Sequence, residues 1–362
     1  MSELYIGLMS GTSADGINAA LVDFSQSAPK LVASFYQEYT PELRQIIIGL
    51  CHPGQDEINR LGELDVTLGK AFAGAVKALL SDPAHANYSI RAIGSHGQTI
   101  RHHPIRQFTL QIGDPNIIAA ETGVTTVADF RRRDIAHGGQ GAPLVPAFHQ
   151  HVFANTEMNR VVVNIGGIAN ITLLPTSGKV FGFDTGPGNT LLDAWTEKHL
   201  QLPYDKDGEW AAKGNVHPDI LNNLLNDPFF KLPPPKSTGR EYFNLSWLEK
   251  YLPKNISAVD VQATLVELTA CSIIDTLSQH IASGEILICG GGVHNHFLMS
   301  RLTSLATNFS VASTEKCGVD PDCVEAMAFA WLAKQTLEKK PGNLTAVTGA
   351  TKHAILGAVY FS

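Results

Sequence analysis

"GLMSGTSADG", residues 7–16, interrupts an apolar, strand-like start with a run dominated by glycine, serine, threonine and aspartate. Leu4, Ile6 and Leu8 precede it, and Ala20, Val22 and Phe24 alternate after it, so the stretch reads as strand, polar turn, strand. A long, small-sided tip leaves backbone N–H groups exposed, which suits phosphate oxygens; Gly11, Thr12, Ser13, Asp15 and Gly16 form it. A polar β-turn, chosen for the backbone habits of Asp and Gly, explains the same residues about as well. It is not a Walker loop, because no G-K-[ST] is present. The plan recurs at "RVVVNIGGIANITLLP" (160–175), where Val161–Val163 lead into Gly166-Gly167 and Ile168–Leu174 lead out.

Strands opening each half, with helices between, predict two α/β domains. Leu64, Leu68, Phe72, Ala75 and Leu79 make one helix face in the first half. In the second, Val266, Ala270, Ile273, Leu277 and Ile281 do the same, with the helix ending at Ser283-Gly284 before the strand in "EILICGGG". The glycines, prolines and adjacent arginines of "RRRDIAHGGQGAPLVP" (131–146) mark a boundary or a binding loop. The expected division is an N-terminal domain over 1–130, with 342–362 open to packing back on it, and a C-terminal domain over 131–341. The breaker-rich "KLPPPKSTGREYF" (231–243) reads as a surface excursion or a lid.

With 362 residues, 44% hydrophobic, the chain can bury a large core. Charged residues are 17% and the net charge is −7, so no basic face for nucleic acid is expected. No apolar run approaches the roughly 20 residues that span a bilayer, and the start lacks the regions of a signal peptide, so the expectation is a cytoplasmic protein without membrane contact. Cys51, Cys271, Cys289, Cys317 and Cys323 contain no C-x-x-C pair and read as reduced, packed thiols.

Among candidate chemical groups, Asp184 in "FGFDTGPGNTLLDAW" (181–195) stands at a strand's end in a glycine frame, a position typical of catalytic carboxylates; a helix cap or Asx-turn is the plainer explanation. Asn189, Thr190 and Asp193 then open a helix whose N-terminus favours an anion. Gly290, Gly291 and Gly292 follow the strand "ILIC" and suit a nucleotide base or ribose lying on bare backbone, at a spacing that is not Rossmann-like. The pairs His294/His296 and His149/His151 lack the partners of a zinc site. His96, Gln98, Thr99 and Arg101 offer the donors and acceptors of a polyol or sugar pocket, or of a satisfied turn. One or two of Arg131, Arg132 and Arg133 suit a carboxylate, the others being solvated or paired with Asp129 and Asp134. Glu325 opens a helix capped by Asp320 or Asp322, with a macrodipole explanation competing with a site role.

Two glycine-tipped hairpins opening two halves, plus the late triple glycine, match the plan of the sugar kinase, heat-shock ATPase and actin superfamily. More narrowly, "GLMSGTSADGINAALVDF", "SHGQTIRH", "VADFRRRDIAHGGQGAPLVP", "NIGGIANIT", "GFDTGPGN" and "ICGGGVHN" together resemble the anhydro-N-acetylmuramic acid kinases. The resemblance implies a two-domain actin-like ATPase (ribonuclease H-like) fold with an interdomain cleft that closes on binding. It implies an ATP-dependent enzyme of peptidoglycan recycling that opens the 1,6-anhydro bond of anhydro-N-acetylmuramic acid with water and phosphorylates O6. Carried over by position, Gly11, Thr12, Ser13, Asp15, Gly16, Asn18, Gly166 and Gly167 would hold ATP phosphates, and Gly290, Gly291 and Gly292 would support adenosine. Asp184 matches the general base, while His96, Gln98, Thr99, Arg131, Asp184 and Glu325 would meet the sugar. Mg²⁺ would arrive with ATP rather than on direct protein ligands, with Asp15 reaching it through water, and the enzyme would be a homodimer. Ala14 stands where the family pattern usually has Leu or Met, a change expected to leave phosphate contacts alone. Two rivals remain: a plain sugar or carboxylate kinase in which Asp184 activates a hydroxyl, and a nucleotide-dependent switch without sugar chemistry.

Overall fold

The computed structural model describes residues 3–26, 28–85, 88–234 and 236–362. They form two compact units: one takes the chain up to Val152 together with Cys323–Ser362, the other takes Phe153–Asp322.

The first unit opens with the expected hairpin, β1 (Leu4–Met9) antiparallel to β2 (Gly16–Asp23), and adds β3 (Lys30–Glu38) antiparallel to β2. β4 (Ile90–Ser95) runs parallel to the free edge of β1. After it β5 (Gln98–His103) and β6 (Phe108–Ile112) make a separate hairpin, and β7 (Thr126–Ala128) returns parallel to β4. The second unit repeats the plan. Its β8 (Arg160–Ile165), β9 (Ile168–Leu174) and β10 (Phe181–Pro187) form an antiparallel meander, and β11 (Gly284–Cys289) and β12 (Phe309–Ser313) continue in parallel from β8. The chain then re-enters the first unit, where β13 (Ala358–Tyr360) pairs antiparallel with β7. Both sheets therefore carry a meander extended by two parallel strands, the ribonuclease H-like order that actin-like ATPases use twice.

Helix Glu57–Leu79 buries Leu64, Leu68, Phe72, Ala75 and Leu79, the face read from the sequence. Helix Ala258–Ser278 buries Val266, Ala270, Ile273 and Leu277 but stops at Ser278, earlier than expected, and Ile281 is buried in the segment beyond. That helix is buried nearly all round, and several of its polar members find partners inside: Thr269 donates to the Pro187 carbonyl (3.0 Å) and Arg301 pairs with Glu267 (2.6 Å).

The division between units differs from the expected 130/131 and 341/342, for a packing reason. Helix Val324–Leu337 lies directly on the first sheet: a Cβ on Gly7 of β1 would stand 1.8 Å from the Ala326 carbonyl oxygen, and one on Gly94 of β4 would stand 2.0 Å from that of Phe329. Only glycine permits this approach. Residues 131–152 also stay with the first unit. The carboxylate of Asp134, fully buried, accepts from Gly141 N (2.8 Å), Asn343 Nδ2 (2.7 Å) and Thr348 Oγ1 (2.8 Å). Asp134 was expected to partner an arginine; instead it fastens the returning C-terminal segment.

Asp134→Ala removes the acceptor that three buried donors share, leaving Asn343 Nδ2 and Thr348 Oγ1 only longer contacts to Lys352 O (3.3 Å) and Leu344 O (3.4 Å), and is expected to cost about 3–5 kcal/mol in urea unfolding. A loss below about 1 kcal/mol would remove this carboxylate from its place as a fastener.

Candidate active site

The tip of the first hairpin is shaped by its own backbone. Ala14 takes a left-handed conformation (φ 53°) and its N–H donates to Gly11 O (3.1 Å), while Thr12 and Ser13 make no hydrogen bond to any described residue. Ser10 secures the tip from beneath: its hydroxyl donates to Gln98 Oε1 (2.6 Å), lies 2.9 Å from Gly16 O, and accepts from Tyr39 OH (3.1 Å). Burial pushes the Tyr39 phenol up to about 12, so it remains a donor. Gln98 Nε2 donates to Gly11 O (3.1 Å), which makes Gln98 a brace of the tip. Asp15 faces outward and pairs with Arg44 (3.2 Å). Asn18 lies on β2 opposite Met9 and Tyr36.

The motifs around His96 and Arg131, separate in sequence, meet in this unit. His96 Nδ1 donates to Gly97 O (2.7 Å), which leaves Nε2 to accept from Arg131 Nη2 (2.8 Å) and Nε (3.2 Å). Burial, reinforced by the Arg131 charge, lowers His96 to about 3, so the ring is neutral. Arg131 also donates to Gly141 O (2.8 Å). Burial lowers the Arg131 guanidinium to about 10, with Glu325 and Asp134 opposing the shift. Glu325 in turn is raised by burial, against the pull of Arg131. The three adjacent arginines thus separate: Arg131 turns inward, Arg132 pairs with Asp129 (2.7 Å), and Arg133 is exposed. Thr99 accepts from Gln111 Nε2 (3.1 Å) on the neighbouring strand, and Arg101 binds Glu57 and the Leu50 carbonyl, so these two hold the β5–β6 hairpin.

In the second unit Asp184 sits at a bulge in β10, where the register with β9 slips between Asp184 and Gly186. The 231–243 segment, read as an excursion or lid, packs on this aspartate; its Pro235 lies outside the described residues. Asp184 N donates to Lys236 O (3.1 Å), and Asp184 Oδ2 accepts from Thr238 N (2.9 Å) and Ser237 Oγ (3.0 Å). Oδ1 accepts no hydrogen bond among the described residues. Burial raises the carboxyl, and the two donors and the Lys236 charge pull the other way. Lys236 itself is buried, its ammonium over the Phe229 ring (4.7 Å) and donating to Phe229 O (3.3 Å). Its side chain is lowered by that burial.

Two sequence expectations change here. Of the helix start at Asn189, Thr190 and Asp193, expected to favour an anion, the N–H groups donate instead to Gly166 O, Gly167 O and Asn189 O (2.8, 3.0 and 2.8 Å), and Gly188 N also donates to Gly167 O (2.9 Å). Of the three late glycines, Gly290 and Gly292 are glycine because the end of β8 fills their Cβ space: Asn164 Oδ1 would be 2.3 Å from one and Ile165 Cγ2 2.3 Å from the other. Only Gly291 is open, and it lines a cavity of about 370 Å³ with Asn189, Asp193, Tyr204, Lys206 and His294. Asp320 and Asp322 do not cap the next helix, whose N-cap is Cys323; Asp320 accepts from Asp322 N (2.9 Å) and Asp322 binds His294 (2.8 Å).

A model of the anhydro-N-acetylmuramic acid kinase family matches residues 3–362. The chain belongs to the anhydro-N-acetylmuramic acid kinase family. Relatives of that name from Shewanella pealeana and Coxiella burnetii are 53% and 54% identical to it, each over 98% or more of both chains. Among solved structures it is similar to an activator of 2-hydroxyisocaproyl-CoA dehydratase from Clostridium difficile with bound ADPNP, at 12% identity and a TM-score of 0.45, covering 94% of this chain and 98% of that one.

As a member of this kinase family the chain is an ATP-dependent enzyme of cell-wall recycling. Sequence reasoning missed Ser10, Tyr39, Lys236, Ser237 and Thr238. The only signal for the last three was a Lys-Ser-Thr-Gly run inside a breaker-rich loop. Among the described residues no cluster of three His, Cys, Asp or Glu side chains offers a metal cage.

His96 folded at about 3 against its ordinary 6.5 gives stability that is present above about pH 6.5 and lost as pH falls below it. Replacement by Gln is expected to lower proton uptake on unfolding at about pH 5 by about one proton, measured from the slope of stability against pH. An unchanged slope would contradict a buried neutral ring.

Proposed function

We propose that this chain opens the 1,6-anhydro ring of 1,6-anhydro-N-acetylmuramic acid with water and passes the γ-phosphoryl group of ATP to O6, with Asp184 as general base. The supporting observation is the state of Asp184: a buried, raised carboxyl with Oδ2 fixed by Thr238 and Ser237 and Oδ1 left for the substrate's water. Oδ1 takes a proton from that water as its oxygen bonds to the anomeric carbon. The bond from that carbon to O6 breaks, and O6 collects the phosphoryl group, giving N-acetylmuramic acid 6-phosphate and ADP. General-base help supplies about 10²–10⁴-fold, and positioning of ATP and sugar supplies much of the rest.

The phosphates are assigned to the open amides and hydroxyls of Thr12 and Ser13 in the frame of Gly11, Asp15, Gly16 and Asn18, and to Gly166-Gly167 of the second hairpin. Mg²⁺ would arrive on the ATP phosphates, with Asp15 reaching it through water, and would neutralise phosphate charge. Adenosine is assigned to the cavity beside Gly291, with Gly290 and Gly292 letting the turn lie flat on β8. Arg131 and Glu325 are the sugar's charged contacts. His96 and Gln98 orient Arg131 and the tip, and Thr99 supports from β5. The family reading also makes the enzyme a cytoplasmic homodimer, and no described helix is long and apolar enough to cross a membrane.

Mass spectrometry of the sugar after incubation with the protein, Mg·ATP and the anhydro sugar tests the reaction. The expected product has gained one water and one phosphoryl group together. A product gaining phosphate alone, or faster turnover of free N-acetylmuramic acid, would replace water activation by simple hydroxyl activation. ATP binding with no change in the sugar would reduce the chain to a nucleotide-dependent switch.

A further inference from the structure

The segment that fixes Asp184 continues, two residues past Thr238, to Arg240. Its guanidinium lies on the second glycine tip: a Cβ on Gly167 would stand 3.2 Å from both Arg240 Nε and Nη2. The crest is anchored on each side. Lys236 is buried over Phe229, and Phe243, fully buried, packs edge-on to Phe229 and Trp247. Gly239 O accepts from both Tyr242 N and Phe243 N (3.1 Å each), closing the turn that lifts Arg240.

Arg240 is exposed, and among the described residues no carboxylate or carbonyl pairs with it. By contrast the arginines at 44, 101, 132, 160 and 301 each hold a carboxylate. An unengaged planar fork on a bare glycine turn presents parallel N–H donors to an anion, and a phosphate oxygen pair matches that fork. Gly167 leaves the space, and its carbonyl is already engaged by Gly188 N and Thr190 N, so the tip is held while the arginine is not.

We propose that Arg240 grips the polyphosphate of the nucleotide at the Gly166-Gly167 tip. This deepens the kinase reading and rests on it. Because Thr238 and Arg240 share one short turn, the loop that sets the base also reaches the phosphate donor.

The test is calorimetric titration of the full-length enzyme with ADP and, separately, with adenosine. Arg240→Gln is expected to weaken ADP by about ten- to a hundredfold, the worth of a charge-assisted hydrogen bond, while adenosine changes less than about twofold. Arg240→Lys should recover part of the loss. Gly167→Ala, which displaces the guanidinium without removing it, should reproduce the ADP-selective effect. Unchanged ADP affinity in Arg240→Gln, or equal losses for ADP and adenosine, would overturn the assignment while leaving the kinase reading intact. Wild-type enzyme that binds neither ligand would overturn both.

Discussion

In the proposed mechanism the chemistry depends on keeping one carboxylate oxygen occupied and its twin free. Asp184 achieves this because a bulge in β10 turns it out of the ladder and a separate loop supplies Thr238 N and Ser237 Oγ to Oδ2. Burial raises its proton affinity, and the two donors with Lys236 restrain the rise. The result is a carboxyl more basic than one in water, and in the proposed mechanism activity falls as pH drops through its raised value.

The second organising constraint is close approach of backbones. Gly7 and Gly94 let helix Val324–Leu337 rest on the first sheet, and Gly290 and Gly292 let the late turn rest on the end of β8. Gly188 does the same against the Gly166 carbonyl oxygen, 2.4 Å from where its Cβ would be. These glycines fix the strand ends from which the tips and Asp184 project. In the proposed function the ligand contacts then fall to a few small residues, Thr12 and Ser13 in the first unit and Gly167 and Gly291 in the second.

Much of this was legible in the chain. Alternating apolar residues on either side of small polar tips gave both hairpins, the spacing from Leu64 to Leu79 gave a helix face, and Asp184 in its glycine frame was singled out. What escaped was tertiary in origin. Nothing local announces that helix Val324–Leu337 belongs with β1 and β4, since its alanines suit any close packing. Nor does "PKSTGR" announce that its backbone will hold a carboxylate more than fifty residues earlier (Thr238 and Asp184, 54 apart). Glycines were read as ligand platforms where, at Gly290 and Gly292, the neighbour is the protein's own strand. The arginine run was ambiguous because His96, 35 residues earlier, and the Gly141 carbonyl decide that Arg131 turns inward.

The most direct measurement is turnover of Asp184→Asn, alongside its ADP affinity, in folded protein. The asparagine keeps the volume and one acceptor but cannot take the water's proton. The account predicts a fall in kcat of at least about a hundredfold with ADP binding nearly unchanged. A variant that retains most of its activity would contradict Asp184 as the base.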